Sequence, residues 1–70
     1  MEGMLVRGQL IYFNTGEGTI EIDDYRTDNV KLDINSETRI ISPENWEHLV
    51  GNDVEAIVID GTVRSIARLL

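Results

Sequence analysis

Apolar and polar residues alternate along much of this chain with the two-residue period of a half-buried β-strand. In residues 19–23, "TIEID", the alternation places Ile20 and Ile22 on one face, and residues 30–34, "VKLDI", repeat the pattern. Two such segments in succession indicate an antiparallel sheet that has one face in the core and the other in water.

Further strands are predicted on both sides of this pair. Residues 4–13, "MLVRGQLIYF", are rich in apolar and β-favouring residues, and Gly8 is expected to mark a bend because a glycine within a strand often accompanies a bulge or a barrel corner. At the other end, residues 53–59 and 62–70 predict a hairpin, since Asp60–Gly61 is a strong signal for a two-residue turn.

One helix is predicted, in the segment "SPENWEHLVG". Ser42 suits the N-cap, and Pro43 suits the first helical position, where its missing N–H has no partner to lose. Trp46, Leu49 and Val50 fall on one side of this helix, and we expect Trp46 to plug one end of the core.

These elements predict an all-β fold. The order is three strands, a short extra strand near residues 38–41, a helix and two strands. A five-stranded barrel with one short helix between strands three and four is the order of an OB-fold. An SH3-like or Sm-like barrel is the alternative, because strand content alone does not determine the pairing. We expect residues 1–70 to form a single small β-barrel domain.

Composition restricts the possible functions. Thirteen acidic and six basic residues give a formal charge of −7, spread evenly over both halves. Since Lys and Arg contacts to phosphate supply most non-specific nucleic-acid affinity, a nucleic-acid partner is disfavoured. The absence of cysteine excludes disulfides and thiolate metal sites. The apolar runs are too short to cross a membrane, no signal peptide is recognised, and we expect a cytoplasmic location.

Residues 8–22, "GQLIYFNTGEGTIEI", resemble the opening of a cold-shock domain, which is itself an OB-fold. The matching positions are Gly8, Tyr12, Phe13, Asn14, Gly18 and Ile22. The resemblance implies a barrel that stacks bases on its second strand. In this chain Thr19 and Glu21 stand where that family has stacking aromatics, and Glu17 replaces its usual lysine. Stacking contributes roughly 1–3 kcal/mol per base, so these departures weaken the implied nucleic-acid function.

Residues 38–69 are similar to the closing half of small bacterial OB-like modules of uncharacterised function. Those modules show Thr-x-Ile, then Leu-x-x-Gly-x-x-Val, then a glycine turn and a final strand. This resemblance implies the same barrel and names no ligand.

No set of residues predicts an enzyme. His48 lies on a polar helix face, where a lone histidine is usually solvated. The acidic segment with Asp23, Asp24 and Asp28 lacks the spacing of an EF-hand loop and predicts an acidic turn. We therefore predict no catalytic residue, no metal ligand and no cofactor.

The candidate binding residues are Tyr12, Phe13, Asn14 and Tyr25. Strand alternation lets only one of Tyr12 and Phe13 face the core unless a bulge intervenes. A half-exposed Tyr12 near Tyr25 would form a small contact patch of the kind that anchors interfaces. The apolar ending "ARLL" predicts that the last strand is docked, either within the barrel or on another chain.

The leading functional hypothesis is a non-enzymatic binding or assembly module that contacts a protein partner or self-associates. One alternative is a weak single-stranded nucleic-acid-binding OB-fold that uses Tyr12 and Phe13 with Arg7 and Lys31. Another is an acidic nucleic-acid mimic, which requires carboxylates arrayed on one face of the protein.

Overall fold

The computed structural model describes residues 3–41 and 45–69. The described part contains six strands and one short helix, which are, in chain order, β1 (Gly3–Asn14), β2 (Thr19–Asp24), β3 (Asn29–Asp33), β4 (Arg39–Ile40), α1 (Trp46–Leu49), β5 (Asp53–Ile59) and β6 (Thr62–Arg68).

The strands form one closed sheet in the order β3-β2-β1-β5-β6-β4. Neighbouring long strands are antiparallel, and the ring closes where Asp33 of β3 pairs in parallel with Thr62 of β6. The Asp33 amide donates to the Gly61 carbonyl at 2.9 Å at this closure. Five long strands, with α1 between the third and the fourth, confirm the predicted OB-like barrel, and β4 is the short extra strand.

Strand β1 is shared between two neighbours. Its residues 3–9 pair with β5, and residues 8–14 pair with β2. Gly8 lies in the overlap, where an added Cβ would be 2.7 Å from the Asp23 carbonyl carbon and 2.9 Å from the Asp24 Cα. Because these are backbone atoms that cannot turn away, β2 can approach β1 this closely only opposite a glycine.

The inward faces of the alternating strands meet in one core. Ile20, Ile22 and Leu32 are buried as predicted, and Val30 and Ile34 pack against them in part. The fully or nearly fully buried apolar side chains are Val6, Leu10, Ile20, Ile22, Leu32, Leu49, Val54, Ala56, Val58, Val63 and Ile66. Aliphatic side chains therefore fill the barrel and leave no aromatic ring at its centre.

The helix differs from the prediction. It covers only Trp46–Leu49, and its N-cap is Asn45, whose side-chain oxygen accepts from the His48 amide at 3.1 Å. The predicted cap at Ser42 and the residue after it lie outside the described residues. Leu49, and not Trp46, is the fully buried plug, while Val50 is 37% exposed. No described helix is long and apolar enough to cross a membrane.

The terminal strand β6 is docked within the barrel. It pairs with β5 along its length and with β4 through Ser65 and Ile66 on its other side. The Leu69 amide continues this pairing by donating to the Asp53 carbonyl at 2.9 Å. The option of pairing with another chain therefore loses its support, because both sides of the strand have neighbours.

Candidate functional site

The outer surface of β1, β5 and β6 carries apolar side chains where the alternation of a barrel strand would place polar ones. Leu5 of β1 lies directly opposite Ile57 of β5, and the two residues are 41% and 46% exposed. Ile59 and Ala67 extend this surface and are half-buried. We call this surface, together with Tyr25 of the β2–β3 turn beside β1, the outer wall; its apolar and aromatic members are Leu5, Tyr25, Ile57, Ile59 and Ala67.

Charged residues of both signs border the outer wall on one side. Arg7 lies opposite Glu55 in the pairing of β1 with β5, and its Nε donates to the Glu55 Oε2 at 2.7 Å. One step further along the strands, Gln9 lies opposite Asp53. The apolar pair is thus followed by an ion pair and then by a polar pair, each joining the same two strands.

Tyr25 is held against this border by the backbone. Its amide donates to the Arg7 carbonyl at 3.1 Å, and its ring is 60% exposed. A hydrogen bond to the Asp53 carboxylate raises the pKa of Tyr25 above its usual value. A shallow depression of about 260 Å³ is lined by Leu5, Arg7, Tyr25 and Arg26, and the Arg26 Nη2 donates to the Leu5 carbonyl at 3.3 Å.

Asp24 builds the turn that presents Tyr25. It is only 5% exposed, and its Oδ1 accepts from the Arg26 amide at 2.9 Å and lies 3.6 Å from the Arg26 Nε. Asp24, one residue of the predicted acidic turn, therefore has a structural role, because its carboxylate accepts a backbone hydrogen bond within that turn. Residues 3–41 and 45–69 contain no cluster of acidic or histidine side chains that could hold a metal ion.

The other predicted binding residues lie at the opposite end of β1. A bulge after Leu10 turns Phe13 inward, where its ring stacks on Trp46 with centroids 6.4 Å apart. Tyr12 points outward and is 41% exposed, and its hydroxyl accepts from the Asn14 Nδ2 at 3.0 Å. The Asn14 Oδ1 in turn accepts from the backbone amide three residues later at 2.9 Å, so Asn14 supports the β1–β2 turn.

The structure does not bring Tyr12 and Tyr25 together. Tyr12 lies opposite Glu21, whereas Tyr25 lies beside Arg7. Five residues of β1 separate these levels, which corresponds to about 17 Å along a strand. The predicted patch of two tyrosines is not formed, and only Tyr25 belongs to the outer wall.

Sequence reasoning missed Leu5 and Ile57, although one signal for them was present. The run "AIVI" in β5 breaks the alternation: Ala56 and Val58 are buried, and Ile57 and Ile59 point outward. An unbroken apolar run in an otherwise alternating barrel indicates that its outer face is covered or makes contacts.

The surface that OB-folds commonly use for nucleic acids lies on their second and third strands. Here Glu21 of β2 lies opposite Lys31 of β3, and Thr19 lies opposite Asp33. This surface carries carboxylates and no aromatic ring, so neither the attraction to phosphate nor the stacking platform of a nucleic-acid site is built there.

No protein-family model and no curated protein matches this chain. Solved structures of CusF do match it. A crystal structure of Ag(I) CusF aligns with a TM-score of 0.75 and 12% identity over 99% of this chain and all of the other. An Ag(I) structure of Escherichia coli CusF aligns at 0.77 with 10% identity over 99% of this chain and 94% of the other.

A Cu(II) structure of an E. coli CusF variant with a tryptophan replaced by alanine aligns at 0.74 with 12% identity over all of both chains. Likeness at such low identity shows a common fold. The chain therefore has the small β-barrel fold seen in CusF.

Proposed function

We propose that this protein is a non-enzymatic binding module that contacts a protein partner through its outer wall. The observation that carries the proposal is the exposed pair formed by Leu5 and Ile57 on a surface where barrel strands are normally polar. Contiguous apolar surface on a small soluble domain marks an interaction site. The side chains that fill the core come from the other face of these strands.

The contact can supply useful binding energy. Full burial of a Leu or Ile side chain contributes about 1.5–3 kcal/mol, and Leu5 and Ile57 still have 41% and 46% of their surfaces to bury. Covering both therefore contributes about 1.3–2.6 kcal/mol, in proportion to the surface that remains exposed. Tyr25 adds an exposed aromatic ring of the type that often anchors protein interfaces.

The charged border supports selectivity more than affinity. The side chains of Arg7 and Glu55 are 57% and 32% exposed, so their ion pair contributes only about 0–1 kcal/mol within the chain. A partner with opposite charges in matching positions is steered toward the wall, and a partner with like charges there is rejected.

The two alternative functions have less support. The second and third strands lack a stacking surface, as described above. For a nucleic-acid mimic, carboxylates should share one face, but Glu17, Glu47 and Asp60 lie respectively on the β1–β2 turn, on α1 and on the β5–β6 turn. This dispersal does not reproduce the regular charge spacing of a nucleic-acid backbone.

The silver and copper ions of the CusF structures do not fit the residues described here. Soft monovalent ions such as Cu(I) prefer thioether and thiolate ligands, with imidazole as a further donor. The described soft or imidazole donors are Met4 and His48. Met4 lies opposite Val58 near the start of β1. The helix with His48 ends near Leu10 of the same strand, because the Leu10 carbonyl accepts from the amide of Gly51, two residues after α1. Six residues of strand, about 20 Å, separate those levels.

Site-specific photo-crosslinking tests the proposed function. A benzophenone amino acid replaces Ile57 in one variant and Ile11 in a matched control. Ile11 is also exposed, at 37%, but lies at the bulge of β1, beyond the residues that pair with β5. In an extract of the cells that make the protein, we expect discrete protein adducts from position 57 and none from position 11. Equal labelling at both positions, or no adduct at position 57, would refute the proposal.

A further inference from the structure

We infer that the partner of the outer wall is a second copy of this chain, related to the first by a two-fold axis parallel to β1 and β5. The inference rests on the proposed function, because both use the same surface. A symmetric dimer requires a self-complementary patch, in which one residue meets a second and the second meets the first. The outer wall satisfies this condition row by row.

The pairing of β1 with β5 determines the rows. The described pairs are Leu5 with Ile57, Arg7 with Glu55, and Gln9 with Asp53. When a two-fold axis runs between these strands and along them, β1 of one copy faces β5 of the other. Each apolar residue then meets an apolar residue, and each member of a polar row meets the opposite member of the same row.

Charge also favours this arrangement over contact through other surfaces. Two copies with a charge of −7 each repel one another, so a stable contact must lie where positive and negative groups face each other. In the two-fold arrangement each Arg7 faces a Glu55 of the other copy, and no like charges oppose one another in the rows given above. Arg26 adds a second cation beside the same surface.

Tyr25 fits the same geometry. Its amide donates to the Arg7 carbonyl, and its hydroxyl reaches the Asp53 carboxylate on β5, so the ring crosses the outer face of β1. The two-fold arrangement therefore places this exposed ring inside the contact, beside the row formed by Arg7 and Glu55. Tyrosine rings are typical anchors at protein interfaces.

The dimensions of the molecule limit the strength of this dimer. Its principal extents are 30 × 28 × 21 Å and its accessible surface is 4600 Å². A contact through one side of a molecule this size buries less than roughly 1,200 Å² of accessible surface in total. Interfaces of that area are typical of transient contacts. We therefore expect a reversible dimer with a dissociation constant of about 1–100 μM.

Sedimentation equilibrium of the whole chain over a range of concentrations gives the first test. The wild-type protein and the Ile11→Glu control are expected to dimerise equally. Ile57→Glu is expected to weaken the dimer by about 30-fold or more, because it places a carboxylate in the apolar centre of the interface. Its unchanged Trp46 fluorescence would show that the barrel is intact.

Mixing two charge variants gives the decisive test. Arg7→Glu has two acidic residues in the row formed by positions 7 and 55, and Glu55→Arg has two basic ones. Each variant alone is expected to dimerise more weakly than the wild type, because like charges then face each other across the axis. An equimolar mixture is expected to form mixed dimers, because every facing pair in them has opposite charges.

Recovery on mixing separates contacts between chains from contacts within a chain. The repulsion inside each variant is the same alone and in the mixture, so only contacts between chains can restore association. A dimer that ignores Ile57→Glu, or variants that do not associate on mixing, would overturn the inferred geometry.

A wild-type protein that stays monomeric up to about tenfold above the expected range would overturn self-association itself. The crosslinking experiment then distinguishes the two proposals. Adducts of twice the 7.9 kDa chain mass support the dimer. Adducts of another mass from position 57 reject the dimer and leave the protein-binding function standing, whereas no adduct rejects both.

Discussion

Replacing Gly8 by alanine should destabilise the barrel strongly, because the added Cβ would collide with the backbone of the neighbouring strand β2. An added Cβ would contact the Asp23 carbonyl and lie 2.9 Å from the Asp24 Cα. Ordinary van der Waals contact between carbon atoms begins near 3.5 Å. Because β1 is paired with both β2 and β5 at Gly8, moving either neighbour disrupts a second pairing.

The expected cost follows from this geometry. Overpacking in a close-packed interior costs typically 1–3 kcal/mol, and here the contacts are to backbone, so we expect about 2–3 kcal/mol. A chain of this length has a total stability of about 3.5–10 kcal/mol. The loss corresponds to a decrease in Tm of about 8–24 °C for a domain of this size.

Urea unfolding monitored by Trp46 fluorescence measures this cost. Gly3→Ala is the matched control, because a Cβ at Gly3 on the same strand meets nothing closer than 3.8 Å. The control should be neutral, or more stable by up to about 1 kcal/mol, since alanine restricts the unfolded chain. A Gly8→Ala protein within about 0.5 kcal/mol of the wild type would show that β2 can retreat from β1, and the reasoning would fail.

Three further predictions follow from local contacts. Asp53→Asn should return the pKa of Tyr25 toward 10.0, because the hydrogen bond to the Asp53 carboxylate is the largest cause of the raised pKa. Ultraviolet titration in a Tyr12→Phe background, where Tyr25 is the remaining tyrosine, measures this pKa. The raised pKa stabilises the fold below pH 10, and this contribution disappears as the pH rises through the folded-state pKa, so the alkaline slope of stability should flatten in Asp53→Asn. Gly61→Ala should cost about 1–2 kcal/mol in thermal unfolding, because Gly61 has φ +78°. Leu49→Ala should cost about 2–5 kcal/mol in urea unfolding because Leu49 is fully buried, and a cost below 1 kcal/mol would show that the helix does not plug the barrel.

The strands could be predicted from the sequence because their information is local. Ile20 and Ile22 alternate with polar residues, and both are buried. Asp60 and Gly61 both have positive φ, at 52° and 78°, as a two-residue hairpin turn requires. Each of these features depends on residues that are adjacent in the chain.

The start of the helix could not be predicted in the same way. Ser42 and Asn45 are both good N-cap residues, and local sequence does not choose between them. In the structure Asn45 accepts from the His48 amide, and the one-turn helix inserts Leu49 into the core. Tertiary packing of this single leucine decides where the described helix lies.

The candidate site could not be predicted from the sequence for a different reason. Leu5 and Ile57 become neighbours only through the register of two strands that are far apart in sequence. The local sequence around either residue does not show whether its apolar side chain faces outward or lies in the core. Tyr25 could be identified, because an exposed aromatic ring on a polar turn is visible from sequence, but its true neighbours were not.

Closure of the barrel determines how a partner can bind. Strand β5 has hydrogen-bonded neighbours on both sides. The stretch of β1 that carries Leu5 and Arg7 pairs with β5 on one side, and on the other its carbonyls accept from the Arg26 side chain and the Tyr25 amide, so adding a partner strand there would displace those hydrogen bonds. In the proposed dimer, recognition at the wall comes from the side chains of Leu5, Ile57 and Tyr25 and from the charged row beside them. For this reason single side-chain substitutions should change binding without changing the fold, and the charge-variant mixture can test the partner directly.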